Sequence, residues 1–239
     1  MAAGSIRLVN SNPELRMARP PALPLALPLP LPLPLTAKPP EGAGPPASPP
    51  TAGLAEPAWP GHRAMWVGIC LEFIEFAVFF AVYFSARWSQ PAVFQEGAQR
   101  LRTLGGVLIT LAMVTSGWML TRVLSAVQQG RQRAARRWMA LAVLVAALYP
   151  VLKVAEWQWN QAQGLGAGSG LFVVVYWYLT INHFVHASWG LLGMVWCLLR
   201  LSAGGYDAAD HRGLESLATY WHATDLVWLM LFSLFYAYA

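Results

Sequence analysis

Five stretches of this chain stay apolar for about the thickness of a bilayer. The first lies between Arg63 and Arg87, the second between Arg102 and Arg122, and the third from Trp138 to about Trp157. The fourth runs from about Gly170 to Leu199, and the fifth from Leu217 to Ala239. A helix rises 1.5 Å per residue, so about 20 residues cross the ~30 Å hydrocarbon core. No water reaches that core, and only a helix or a closed barrel can satisfy its own backbone there. The pattern therefore predicts an all-α membrane protein, a bundle of five transmembrane helices. The fourth stretch is long enough to tilt or to project beyond the bilayer. Pro150 is the only proline inside a predicted span.

Residues 1–60 are different, holding 16 of the 18 prolines. The segment "PALPLALPLPLPLPL" is apolar, but proline lacks the N–H that a spanning helix needs and its ring clashes with the preceding turn. A proline-rich, disordered or polyproline II arm over 1–60 is expected, ahead of a membrane domain over 61–239.

Composition agrees. Only 11% of the 239 residues are charged, against 56% hydrophobic. A soluble domain carries about a quarter charged residues. The net charge of +5 is not a nucleic-acid stripe, because the arginines sit in short loops between apolar runs. "RVLSAVQQGRQRAARR", between spans two and three, carries five arginines, and "GLGAGSG", between spans three and four, carries none. By the positive-inside rule the N-terminus is inside and the C-terminus outside, which puts 12 of the 16 Lys and Arg residues on the inner side. Cys70 and Cys197 lie in apolar runs without a CxxC partner and read as small buried hydrophobes. Trp88, Trp157 and Trp159, near segment ends, read as an interfacial belt.

Against that background the ionisable residues inside the spans stand out. "GICLEFIEFAVFFAVYF" holds Glu72 and Glu75, three apart and so on one helix face. A charge at mid-bilayer costs roughly 2.5–3.5 kcal/mol. At least one of the pair is expected to be protonated or bonded to a donor. His211, Glu215, His222 and Asp225 fall in one band of the fifth span, a stripe that should meet protein rather than lipid. His183 and His186 are three apart in the fourth span, and Lys153 and Glu156, at the end of the third, can pair near the outer interface. Physics alone leaves four readings open: interhelical hydrogen bonds, a proton pathway, specific lipid binding, and a haem or metal site. For the last, no third and fourth ligands accompany the histidine pair.

The pattern His211-x-Gly213-x-Glu215 followed by Tyr220-Trp221-His222-x-x-Asp225-x-x-Trp228 resembles the last helix of cytochrome c oxidase subunit III. Glu72 ahead of Phe76, Phe79, Phe80 and Tyr83 is similar to that family's helix with a buried glutamate. Thr180-x-x-His183-x-x-His186-x-x-x-Gly190 matches its penultimate helix, Lys153-x-x-Glu156-Trp157 a weaker motif, and Ser116-Gly117 a thin one. The resemblance covers about residues 64–239, and the arm has no counterpart. The typical member has seven helices, whereas five are predicted here. That shorter form also resembles the accessory protein of nitric oxide reductase, usually called NorE.

The resemblance implies a non-catalytic subunit of a respiratory haem–copper enzyme in the bacterial inner membrane. Such a subunit binds no cofactor, packs against a catalytic subunit I that carries haem and copper, binds phospholipid, and supports stability and proton uptake. The residues it singles out are Glu72, Glu75, Glu156, His183, His186, Glu215, His222 and Asp225, as buried polar groups for proton, lipid or subunit contact. Glu75 is an addition to the family pattern. The alternatives are a NorE-type companion in denitrification and, from another class, a small proton-coupled transporter. Broken helices or inverted repeats would favour the transporter, and the sequence shows neither.

Overall fold

The computed structural model describes residues 59–166 and 168–237, and every regular element among them is helical. The helices are α1 (Arg63–Ser89), α2 (Pro91–Gln99), α3 (Thr103–Gln128), α4 (Gln132–Ala146), α5 (Leu148–Ala162), α6 (Leu171–Ser202) and α7 (Arg212–Phe232). A π-helical turn over Ser233–Ala237 continues α7. Apart from Trp59 and Pro60, the proline-rich arm expected over 1–60 lies outside the described residues.

Four helical stretches are long and apolar enough to cross a membrane: α1, α3, α4 together with α5, and α6. Helix α7 has the length, at 21 residues, but its polar stripe keeps it out of that set. Val67, Leu71, Ile74, Val78 and Val82 form an exposed apolar row on α1, as a lipid-facing helix requires.

The third span starts earlier and ends later than its apolar pattern, and it opens at Ala147. Pro150 is the cause. It has no N–H to offer the Ala146 carbonyl, and its ring crowds that oxygen. Helix α2 was not predicted. At nine residues it is too short to span, and it carries Pro91 at its first turn, where the missing N–H breaks no helical bond. Its Gly97 lies against the Phe172 ring, in space that a Cβ would occupy.

Three helices end alike. Gly130, Gly164 and Gly204 take positive φ, and the next residue returns its N–H five residues back: Arg131 to Ala126, Leu165 to Asn160, Gly205 to Arg200. This closure satisfies carbonyls left over at a helix end and allows the short turns that set α3 beside α4. Small residues and hydroxyls join α3 to α7. Trp221 Nε1 donates to Ser116 Oγ at 3.2 Å and Trp228 Nε1 to Thr110 Oγ1 at 2.9 Å. Gly106 makes room for the Tyr236 ring. Close backbone approach with side-chain hydrogen bonds is how membrane helices associate where lipid supplies no hydrophobic drive.

One further expectation changes. Cys197 is buried, but Cys70 faces outward. Trp88 is 90% exposed at a helix end, as a belt residue should be. Trp157 is half-buried and stacks on Trp177, with ring centroids 5.2 Å apart.

Candidate functional site

The buried polar residues fall into separate groups, each built by different helices. The first borders a groove of about 570 Å³ between α1, α6 and α7, at the end where the α3–α4 turn meets the α6–α7 loop through Gln132 and Tyr206. Glu72, Glu75, His186, Arg200, Tyr206 and Tyr220 line it, beside Gly190 and Gly193. Glu72 is buried, and Thr224 Oγ1 donates to its Oε1 at 3.3 Å. Its Oε2 has no partner among the described residues. Glu75 does not duplicate it: Glu75 Oε2 lies 3.6 Å from His186 Nε2. His186 Nδ1 sits 2.9 Å from the Asn182 carbonyl, which can only accept, so Nδ1 carries the hydrogen. A proton on Nε2 would then make an imidazolium facing a carboxylate.

His183 is fully buried behind that groove. Its Nε2 donates to the Thr224 carbonyl at 3.2 Å, which leaves Nδ1 to accept from Tyr149 OH at 2.9 Å. Both ring nitrogens are used, so His183 has no lone pair for a metal. Among the described residues no cluster of three His, Cys, Asp or Glu side chains could hold one.

The second group lies towards the other end and is the most deeply buried. Lys153 is 0% exposed, and its Nζ lies 3.3 Å from Glu156 Oε2 and 3.2 Å from each of the Tyr176 and Tyr236 hydroxyls. Both hydroxyls donate to Glu156 Oε1. Asn160 Nδ2 adds a bond to Tyr176 OH at 3.2 Å. The ammonium also sits over the rings of Trp228 and Tyr176, 5.2 and 5.1 Å from their centroids. The expected pairing is present, and it is enclosed between helices. Tyr176, Tyr236 and Asn160 were not anticipated. The signal available was Tyr176, Thr180 and His183, an i, i+4, i+7 row on α6.

The polar stripe of α7 does not converge. His211 stands at the N-cap position, just before the helix, and its side chain makes no capping bond. Glu215 works at that end, accepting the Gly61 N–H at 3.0 Å and facing His211 at 3.4 Å. Together with the bond from His62 N to Ser216 Oγ at 2.8 Å, it ties the start of α1 to α7. Two turns on, His222 Nδ1 lies 3.7 Å from Asp225 Oδ2, with side-chain exposures of 46% and 8%. A Cβ on Gly117 would stand 2.6 Å from Asp225 Oδ2, so glycine there is what lets the carboxylate reach α3.

Helices of membrane-spanning length, packed around buried ionisable pairs, define a multi-pass integral membrane protein. The family model of cytochrome c oxidase subunit III matches residues 62–239. The chain belongs to that family, the non-catalytic membrane subunits of haem–copper oxidases. It is 29% identical over 167 residues to cytochrome c oxidase subunit 3 of Corynebacterium diphtheriae, covering 69% of this chain and 82% of that protein. It is 25% identical over 170 residues to the probable subunit 3 of Mycobacterium tuberculosis, covering 71% and 84%. It is also 25% identical over 186 residues to the heme-copper oxidase subunit I+III of Aeropyrum pernix, 73% of this chain and 22% of that longer protein.

Proposed function

We propose that this chain is the subunit III of an oxygen-reducing haem–copper complex in the bacterial inner membrane. In this reading it docks a subunit I that carries the haem and copper through the α3–α7 face around His222 and Asp225. The observation that carries this is His222. It stands ten residues into α7, about 15 Å along the axis, with its side chain 46% exposed. An imidazole open to hydrocarbon at that depth is unfavourable, and such groups face protein or water-filled cavities. A partner covering this face relieves the cost by meeting the His222 imidazole. That the Aeropyrum pernix relative is named as subunits I and III together supports a partner of the subunit I kind.

The groove at Glu72, Glu75 and His186 is the proposed phospholipid site, since it pairs an apolar wall with Arg200 and Tyr206 at its rim. The arginine-rich end faces inward by the positive-inside rule. The test of docking is His222→Leu, an outward change that leaves the bundle's buried contacts in place. Recovery of subunit I with the tagged variant should fall about tenfold, and Asp225→Leu should do the same. Undiminished recovery from native membranes would remove this face from the interface. The haem spectrum of what co-purifies decides the acceptor. Haem a-type bands with oxygen uptake fit this reading, whereas haem b and c bands with nitric oxide consumption would make the chain a NorE-type companion.

A further inference from the structure

The arginines of the α3–α4 turn have so far served only as a count of charge. Their arrangement is more specific. Arg131, Arg133 and Arg137 border a hollow of about 740 Å³ whose remaining wall includes Gln132, Trp138 and Leu141. Arg133, Arg137 and Leu141 repeat at i, i+4 and i+8, one face of α4, and span roughly 12 Å along the axis. Charge lies at the tip of that face and apolar surface lies deeper. Trp138 is fixed in the wall: Trp118 meets it edge-on with centroids 5.5 Å apart, and the Arg122 guanidinium lies 5.7 Å over its ring.

No ion pair among the described residues involves these arginines. None of Arg131, Arg133 or Arg137 reaches a carboxylate there, and α4 has neither an acidic residue in its first turn nor a side-chain cap. The positive end of the α4 dipole adds to the same field. A soluble anion would need only the charges. The apolar part of the wall, Trp138 and Leu141, the latter 45% exposed, suits a ligand that is itself amphiphilic.

We infer that this hollow binds an anionic phospholipid, its phosphate between Arg133 and Arg137 and one acyl chain along Trp138 and Leu141. It shares no lining residue with the groove at Glu72, so it is a second lipid site. The inference needs only that the chain spans a membrane, and it stands or falls independently of which partner the α3–α7 face docks.

The experiment uses the purified full-length chain, exposed to equal amounts of phosphatidylglycerol and phosphatidylcholine, with retained lipid counted by native mass spectrometry. The wild type should keep the anionic lipid in preference. Arg133→Gln with Arg137→Gln should lose one bound phosphatidylglycerol and lower its retention on the order of tenfold. Arg100→Gln with Arg102→Gln, at the opposite end, should change nothing, and the paired Lys variant at 133 and 137 should keep most of the binding. Circular dichroism establishes that the variants are folded. If the double Gln variant does not fold, Arg137→Gln against Arg137→Lys makes the same comparison. Equal retention of phosphatidylglycerol by wild type and Gln variant overturns the proposal. So does displacement by millimolar inorganic phosphate, which would make this a free-anion site. Displacement by a polyglutamate peptide would make it a docking point for an acidic protein.

Discussion

Lys153 shows how a residue that hydrocarbon should reject is kept at the centre of a membrane bundle. Its charge faces one carboxylate, two hydroxyls and four aromatic rings, and none of these can be removed without exposing the others. Replacing a buried pair by apolar residues can be neutral, but deleting one partner strands the other, at about 3–5 kcal/mol. Lys153→Met should therefore destabilise the purified chain by that amount. Adding Glu156→Leu should recover part of it, and a thermal unfolding series on the two variants measures both. The residues that complete this cage, Tyr176 and Tyr236, are 60 positions apart, and no local pattern links them. Glu72 and Glu75 make the same point on a smaller scale. Spacing put them on one face, yet one takes a hydroxyl from α7 and the other faces a histidine from α6.

Among the elements, the α3–α7 contact depends on what is absent at Gly117. Gly117→Ala places a methyl 2.6 Å from the present position of Asp225 Oδ2, and the carboxylate must move. Overpacking of this kind costs about 1–3 kcal/mol. The expected outcome is a lower unfolding temperature and faster amide exchange along α7 with total helicity unchanged. The Ser116-Gly117 motif was visible in the sequence as a thin likeness, but its reason lay on another helix. Between α6 and α7, the turn at Asp207 is held by its carboxylate. Oδ1 accepts the N–H groups of Asp210 and Ala209, each at 2.8 Å, and these bonds hold its pKa below the usual aspartate value. A carboxylate with a lowered folded pKa stabilises above its unfolded pKa, and that contribution disappears as pH falls through the folded one. Exchange protection at Ala209 and Asp210 should therefore persist at neutral pH and fade below about pH 4. Asp207→Ala should abolish it throughout.

For the whole molecule, the groove and the docking face belong to different sides of α7, so lipid binding and subunit association can be probed separately. Glu72→Gln keeps the side chain's size and a hydrogen bond to Thr224 while removing the ionisable proton. If the chain supports proton uptake, as its resemblance to subunit III implies, turnover of the assembled complex falls in this variant and its pH profile shifts. An unchanged profile leaves Glu72 a structural role. Stretches of apolar residues and the arginine-rich turn were enough to predict a helical membrane protein, and the motif on α7 to mark a resemblance to subunit III, the family whose model matches residues 62–239. These are local demands: hydrocarbon thickness sets segment length, and each intramembrane charge is costly enough to be conspicuous. Partners are another matter. Whether His183 meets a metal or two hydrogen bonds, which hydroxyls and rings enclose Lys153, and whether His222 turns inward or outward depend on how each helix is rotated against neighbours distant in sequence. Only the packed bundle fixes that rotation.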